Sequence, residues 1–268
     1  MKIKVNENFL ELSPGTTLFG LKNQVKPTAD VLVFNGAILC EDRKLSDGDE
    51  IVLIRRGEKP SSGELESLMM ARHTPGVHAK VKRATVGIAG LGGLGSSVAI
   101  SLARLGVGRL ILADFDIVEP SNLNRQQYFI DQIGMPKTEA LLDNLKKINP
   151  HVEYVIHTVR LGPANIPEIF KDADVLVEAF DRADQKAMLL QSFGSEFPGK
   201  PIVAASGLAG YGSSETMGIR KIGANIYVIG DLESAANPGQ GLMSPRVGIA
   251  AHMQSNTVLR ILMGENIT

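Results

Sequence analysis

Cysteine is almost missing from this chain: one in 268 residues, Cys40. A single thiol excludes an intrachain disulfide and any zinc site built on cysteine pairs. An excess of charge of one sign is missing too, since 28 basic residues face 29 acidic ones and the formal net charge is -1. Such a surface does not condense broadly on nucleic acid or anionic lipid, so phosphate binding must be a local pocket. Neither a nucleic-acid partner nor a membrane partner is expected. Long apolar runs are also lacking. The opening "MKIKVNENFLEL" alternates apolar and polar residues, so it reads as neither a signal peptide nor a membrane anchor, and the expected location is cytoplasmic. The length is enough for one sizeable core with a smaller satellite.

Residues 1–57 read as a small unit of their own. "KIKVN" and "FLEL" are short alternating runs around Asn6-Glu7-Asn8, "TLFGLKNQV" suits one short helix, "DVLVFNGAIL" turns at Asn35-Gly36, and "LSDGDEIVLIRR" is a turn followed by a strand. This order resembles the β-grasp of ubiquitin and of the sulfur carrier proteins, whose last strand follows a turn like that of Leu45 to Glu50. A carrier must end in Gly-Gly with a free carboxylate, whereas here Arg55-Arg56-Gly57 runs on into "EKPSSGELESLMMARH". This copy cannot be activated at its own end. Glu58 to Gly63 has linker composition, and Glu64 to Arg72 suits a short helix leading into the next domain, so residues 58–83 are read as linker and leading helix.

From Ala84 to the end, residues 84–268, the pattern becomes strand, turn, helix, strand. "TVGIAGL" and "RLILADFD" are apolar runs of buried parallel type, separated by a helix with Val98, Leu102 and Leu105 on one side and a stop at Gly106. "MPKTEALLDNLKKINP" adds a helix, "DADVLVEAF" and "KPIVAAS" two strands, and "SPRVGIAAHMQSNTVLRILMG" a closing helix. The expected fold is α/β, a doubly wound Rossmann-like sheet preceded by the small β-grasp unit.

The turn "GIAGLGGLGSS" at Gly87 to Ser97 fulfils G-x-G-x-x-G through Gly90, Gly92 and Gly95, and Asp114 follows about 20 residues on, at the end of the next strand. The spacing requires only backbone close to phosphate, N–H groups at a helix start and an acid for ribose hydroxyls. A nicotinamide dinucleotide and a nucleoside triphosphate both satisfy it. "DFDIVEPSNLNRQQYF" then sets Asn122, Asn124, Arg125 and Gln126 just past the ribose acid, with Lys137 in "GMPK". A triphosphate about to lose pyrophosphate needs fixed cations and amide donors there, while a hydride-transfer site needs an apolar slot. Arg125 and Lys137 supply the cations, which disfavours an NAD(P)-dependent oxidoreductase.

"GLGGLGS", "DFDIVEPSNLNRQ", "GMPK" and "EAFD" occur in the order and spacing of the ThiF, MoeB and ubiquitin-activating enzyme family, and the resemblance covers nearly all of Ala84 to Gly264. Members of that family adenylate the terminal glycine of a ubiquitin-like carrier. The resemblance implies that Gly90, Gly92, Gly93 and Gly95 line the nucleotide loop and that Asp114 holds the ribose. It further implies that Asn122, Arg125 and Gln126 contact phosphates, that Lys137 stabilises the transition state and that Asp181 binds Mg²⁺. Asp116 matches the motif as a site residue, with a structural partnership to the Asn-Arg segment equally open. Arg72 falls where the family has an arginine that reaches into the partner's site, although the usual "RYSRQ" is "MARHTPG" here. A homodimer is implied as well.

Family members that pass the carrier to their own cysteine, or hold a structural zinc, have cysteines late in the domain, and this chain has none after Cys40. No thioester or persulfide is available on the catalytic domain, and no zinc is expected. "DLESAANPGQGLMSPR" is then a zinc-free loop that guides the carrier tail or a plain surface loop. Arg182 replaces the asparagine that often follows the metal-binding acid. Cys40, at the end of an apolar strand, reads as a small buried hydrophobe. His78, His151, His157 and His252 lack metal-ligand spacing. The expected activity is ATP- and Mg²⁺-dependent adenylation of a separate sulfur carrier ending in Gly-Gly, most like the ThiF type of thiamine biosynthesis. A non-catalytic carrier-binding scaffold is the rival from another class.

Overall fold

The computed structural model describes residues 1–6 and 8–267, so Glu7 of the expected Asn6-Glu7-Asn8 turn lies outside the described residues. The chain divides into two compact units, Met1–Ala79 and Lys80–Thr268.

In the first unit, β1 (Lys2–Val5), β2 (Asn8–Glu11), α1 (Leu18–Val25), β3 (Val31–Phe34), β4 (Ala37–Leu39) and β5 (Glu50–Ile54) form a five-stranded sheet of order β2-β1-β5-β3-β4. The first and last strands, β1 and β5, run parallel at its centre, and the other pairs are antiparallel. This is the β-grasp arrangement. Asn35 (φ 48°) and Gly36 (φ 82°) both take the left-handed conformation that a two-residue hairpin turn requires. Ile3, Val5, Leu18, Leu21, Leu32, Ile51 and Leu53 close the core between sheet and helix. The opposite face of the sheet is covered by α2 (Ser62–Met70), where Leu68 and Ala71 pack on Val33 and Val52. Of residues 58–83, read as linker and leading helix, 58–79 belong to the first unit, where the helix buries its apolar side on this sheet. Cys40 differs from expectation: it is exposed, since it follows the edge strand β4, whose residues are mostly open to solvent.

After α3 (Val77–Val81), the second unit is built on β6 (Thr85–Ala89), α4 (Gly93–Leu105), β7 (Arg109–Asp114), α5 (Lys137–Ile148), β8 (Glu153–Thr158), α6 (Ile166–Phe170), β9 (Val175–Glu178), α7 (Ala183–Glu196), β10 (Ile202–Ala205), β11 (Gly218–Ile222), β12 (Ile226–Gly230) and α8 (Ser244–Met263). The sheet order is β11-β12-β10-β9-β6-β7-β8, parallel throughout except for β11. Helices lie on both faces. On one face α6 and α7 press Ile166, Phe170, Leu189 and Phe193 onto Ala89, Ile111 and Leu176, while α4, α5 and α8 cover the other. Burial of the strands on both sides explains their continuous apolar runs. Strand order reverses between β6 and β9, and ligands bind such sheets at the carboxyl ends of the strands flanking that point.

Candidate functional site

The glycine turn joins the end of β6 to the start of α4, and its glycines answer two different demands. Gly90 has φ +89°, and a Cβ there would lie 2.9 Å from the Ala179 carbonyl oxygen. At Gly95 a Cβ would fall 1.9 Å from the Gly90 carbonyl oxygen, so α4 could not approach β6 with any larger residue. Gly93 is confined by Val247 and Arg125. Gly92 is not confined: its φ is negative, and a Cβ would meet only the Gln126 Nε2, at 3.8 Å. Gly92 is the N-cap of α4, and no side chain caps the helix. The first-turn N–H groups therefore have no side-chain cap, and the positive end of the helix dipole lies behind them.

Asp114 ends β7 and is buried. Its Oδ2 accepts the Leu91 amide at 2.6 Å and its Oδ1 the Asp116 amide at 2.8 Å, which aims the carboxylate at the glycine turn and leaves further lone pairs on both oxygens. Asp116 pairs with Lys137, Nζ to Oδ2 3.0 Å, and not with the Asn-Arg segment. Lys137 is the first residue of α5 and its side chain is only 8 % exposed. A cation at a helix N-terminus opposes the dipole, and burial adds a desolvation cost. Asp116 offsets part of both.

Between them a 3₁₀ turn at Pro120–Asn122 is closed by the Glu119 amide donating to Asn122 Oδ1 at 3.0 Å. Asn122 is buried, and its side-chain oxygen is thereby committed to the turn. The Arg125 guanidinium donates from one nitrogen to the Ser121 carbonyl and to Asn124 Oδ1, at 3.2 and 2.9 Å, which leaves its other donors open. Gln126 is buried with its Oε1 lacking any hydrogen-bond partner. Gln127 ties this segment to α4, its amide to Ser96 Oγ and its side chain to Ser97 Oγ. Gln132 and Asn144 lock the far end of the segment onto α5 through reciprocal amide bonds. Tyr128 is buried and donates its hydroxyl to the Leu91 carbonyl at 2.7 Å.

Asp181 is exposed just beyond β9, next to the Phe180 and Ala179 that border Gly90, and its carboxylate has no hydrogen-bond or ion-pair partner among the described residues. An open carboxylate beside the glycine turn fits Mg²⁺, which is usually held by one or two carboxylates together with phosphate oxygens and water. Among the described residues no group of three or more His, Cys, Asp and Glu is placed to hold a metal by itself. Arg182 turns to Asp184, 2.8 Å away. Arg72 belongs to the first unit, whereas all the other proposed site residues belong to the second.

Tyr128, Gln127 and the Glu178–Lys186 pair were not singled out by sequence reasoning. The first two lie inside the quoted "NLNRQQYF" run, and tyrosine's fixed reach to a backbone carbonyl was the available signal. Glu178 is fully buried, with Lys186 Nζ 3.0 Å from both its oxygens and from the Ala205 carbonyl. This pair joins β9, α7 and β10, three residues before Asp181 in the chain. The loop from Asp231 to Met243 is anchored by Asp231 to the buried Arg246, whose guanidinium also binds the Gly212 and Ser213 carbonyls. Among the described residues no helix is long and apolar enough to cross a membrane.

Residues 66–268 match the model of the ThiF family, and residues 1–57 match that of the ThiS-like ubiquitin domain. The adenylyltransferase and sulfurtransferase UBA4 of Candida glabrata is 32% identical over 209 residues, covering 73% of this chain and 47% of its own length. That of Kluyveromyces lactis is 31% identical over 237 residues, 84% of this chain and 51% of its own. The chain spans about half the length of these curated relatives. The E. coli tRNA N6-threonylcarbamoyladenosine dehydratase TcdA, solved with AMP, superposes with a TM-score of 0.68 at 18% identity, covering 78% of this chain and 98% of that one. E. coli MccB, solved with AMPCPP and MccA, gives 0.52 at 21%, covering 69% and 58%. These likenesses bear on the fold. With the family model matching residues 66–268, the chain belongs to the ThiF family.

Proposed function

We propose that this protein adenylates the carboxy-terminal glycine of a separate ubiquitin-like sulfur carrier, using Mg-ATP and releasing pyrophosphate. The observation that carries this reading is the buried Lys137, a cation at the wrong end of its own helix, linked through Asp116 to the acid and glycine turn of a nucleotide fold. In this reading Gly92, Gly93 and the start of α4 receive phosphate oxygens, and Asp114 accepts the ribose hydroxyls. Arg125, Gln126 and Lys137 surround the phosphates where charge develops as pyrophosphate departs. Asn122 shapes the turn that presents them. Asp181 holds Mg²⁺, which supplies charge neutralisation on the leaving phosphates.

The nucleophile is a carboxylate, ionised at neutral pH, so no general base is needed. Attack on the α-phosphorus forms the acyl adenylate, and the chain's contribution is alignment together with fixed positive charge. No cysteine follows Cys40 in this sequence, so in this reading the sulfur comes from a donor outside these residues. The pairing of a ThiF-family domain with a ThiS-like one supports thiazole formation in thiamine biosynthesis as the pathway. The 231–243 loop guides the carrier tail, Arg72 serves the site of the second subunit of a homodimer, and the amino-terminal β-grasp unit is a permanent stand-in for a carrier. ATP–pyrophosphate exchange measured with and without a diglycine-ended carrier tests the reading. Exchange that depends on both carrier and magnesium is expected, and none with any such carrier would end it.

A further inference from the structure

Two hydrogen bonds fix the middle of the glycine turn from opposite sides of Leu91. Its amide is held by Asp114, and its carbonyl accepts the hydroxyl of Tyr128 at 2.7 Å. Leu91 is fully buried, whereas the next residue, Gly92, is partly open. A trans peptide is planar, with its C=O and the following N–H pointing in opposite directions. The carbonyl of the Leu91–Gly92 peptide points to the Tyr128 hydroxyl, so the Gly92 N–H points the opposite way, away from Tyr128. That N–H donates to no acceptor among the described residues. The Leu91 carbonyl has no other hydrogen-bond partner among the described residues. Without the hydroxyl, the carbonyl would be a buried acceptor left unpaired, at a cost that favours rotation of the peptide toward solvent.

Resting on the adenylation reading above, we propose that Tyr128 is a positioning residue: its hydroxyl locks the Leu91–Gly92 peptide so that the Gly92 N–H is presented to a nucleotide phosphate oxygen. Tyr128 touches neither substrate nor reacting atoms; it acts through the peptide. The arrangement suits a hydroxyl that stays protonated. Burial, and then the neighbouring Asp114 and Asp116 carboxylates, push Tyr128 well above the ordinary tyrosine range, so donation to Leu91 persists through neutral and basic conditions. The same Asp114 that holds the Leu91 amide leads through Asp116 to Lys137, which couples the direction of the turn to the position of the cation.

The test is Tyr128→Phe in the full chain, with calorimetric titration of Mg-ATP and of adenosine, which has the ribose but no phosphate. The ring stays in place and only the hydroxyl is lost. The expected result is a roughly ten- to hundredfold rise in Kd for ATP, the scale of one lost hydrogen bond to a charged group, with adenosine binding unchanged. A shift of the Gly92 amide resonance in the free mutant should accompany it. Unchanged ATP affinity beside a wild type that binds ATP would overturn the inference alone. An equal loss for adenosine and ATP would overturn it too, by showing general damage to the turn. A wild type that binds neither ligand would remove the nucleotide reading and this inference with it.

Discussion

At the scale of single residues, the four glycines of the turn separate into packing and access. Gly95→Ala must push a methyl into the Gly90 carbonyl, 1.9 Å away, so α4 cannot dock as it does and the second unit should fail to fold or melt far lower. Gly92→Ala meets nothing closer than 3.8 Å and should retain the fold, with a Tm near wild type. Its methyl would nonetheless occupy the space at the helix start and should abolish ATP binding. If Gly92→Ala binds ATP normally, the phosphate does not lie at the α4 terminus. Arg125→Ala and Lys137→Ala belong to the same scale. Each should lower carrier-dependent ATP–pyrophosphate exchange by about 100-fold or more, comparable to deleting a preorganised donor. The Lys137 change leaves only a half-exposed Asp116 behind, so circular dichroism and thermal melting should move little. Near-normal exchange in either variant would dismiss the phosphate assignment.

At the scale of elements, two ion pairs decide how strands and helices meet around the site. Burial pushes the Glu178 carboxyl above the ordinary carboxylate range even though Lys186 and backbone donors oppose it. A carboxyl whose folded value is raised contributes stability at low pH, which is lost as pH rises through that value. Lys186→Met removes the compensating charge and should cost about 3–5 kcal/mol at neutral pH, the usual penalty for stranding a buried charge. Part of that loss should return in mildly acidic solution, as the stranded carboxyl protonates. Urea denaturation at the two pH values gives the answer, and a pH-independent cost would mean that Lys186 acts by packing alone. Asp231 shows the opposite sign. Burial works against its charge, yet the Ser234 hydroxyl, the Ser234 and Glu233 amides and the Arg246 guanidinium hold it down to about 2. Its contribution is therefore full above the ordinary carboxylate value of about 3.9 and is lost as pH falls toward 2. The melting temperatures of wild type and Asp231→Asn should differ at pH 6 and converge near pH 2. A constant difference across that window would show that Asp231 is not titrating in the folded loop.

For the whole molecule, the division at Ala79 and Lys80 places every proposed nucleotide contact in one unit and Arg72 in the other. A protein starting at Lys80 should be soluble and bind Mg-ATP within about threefold of the full chain, a difference of well under 1 kcal/mol. If Arg72 acts in catalysis, its exchange activity should fall far more than its ATP affinity. A protein starting at Glu58 keeps α2 without the sheet that Leu68 and Ala71 cover, and it should aggregate. Sedimentation and calorimetry on both proteins check this. Loss of ATP binding in a folded, monodisperse Lys80 protein would mean that the first unit contributes directly to the nucleotide site.

What sequence alone determined is what local physics governs. The turn at Asn35-Gly36 follows from two residues that tolerate positive φ, and β6, β7, β9 and β10 follow from short apolar runs between turn signals. The helix from Gly93 to Leu105 follows from its apolar spacing and its glycine stop. The proposed nucleotide site could be read for the same reason: the glycine spacing and Asp114 belong to one βαβ crossover, and the Asn-Arg-Gln run follows it directly in the chain. Tertiary structure decided the rest. α2 belongs to the first unit because its partner face comes from strands well before it in the chain, and Cys40 is exposed because β4 takes the sheet edge, which no local pattern specifies. Pairings such as Asp116 with Lys137, Tyr128 with Leu91 and Glu178 with Lys186 depend on distances between separate elements. Composition and periodicity carry no measure of those distances; the closing of the sheet and its helices sets them.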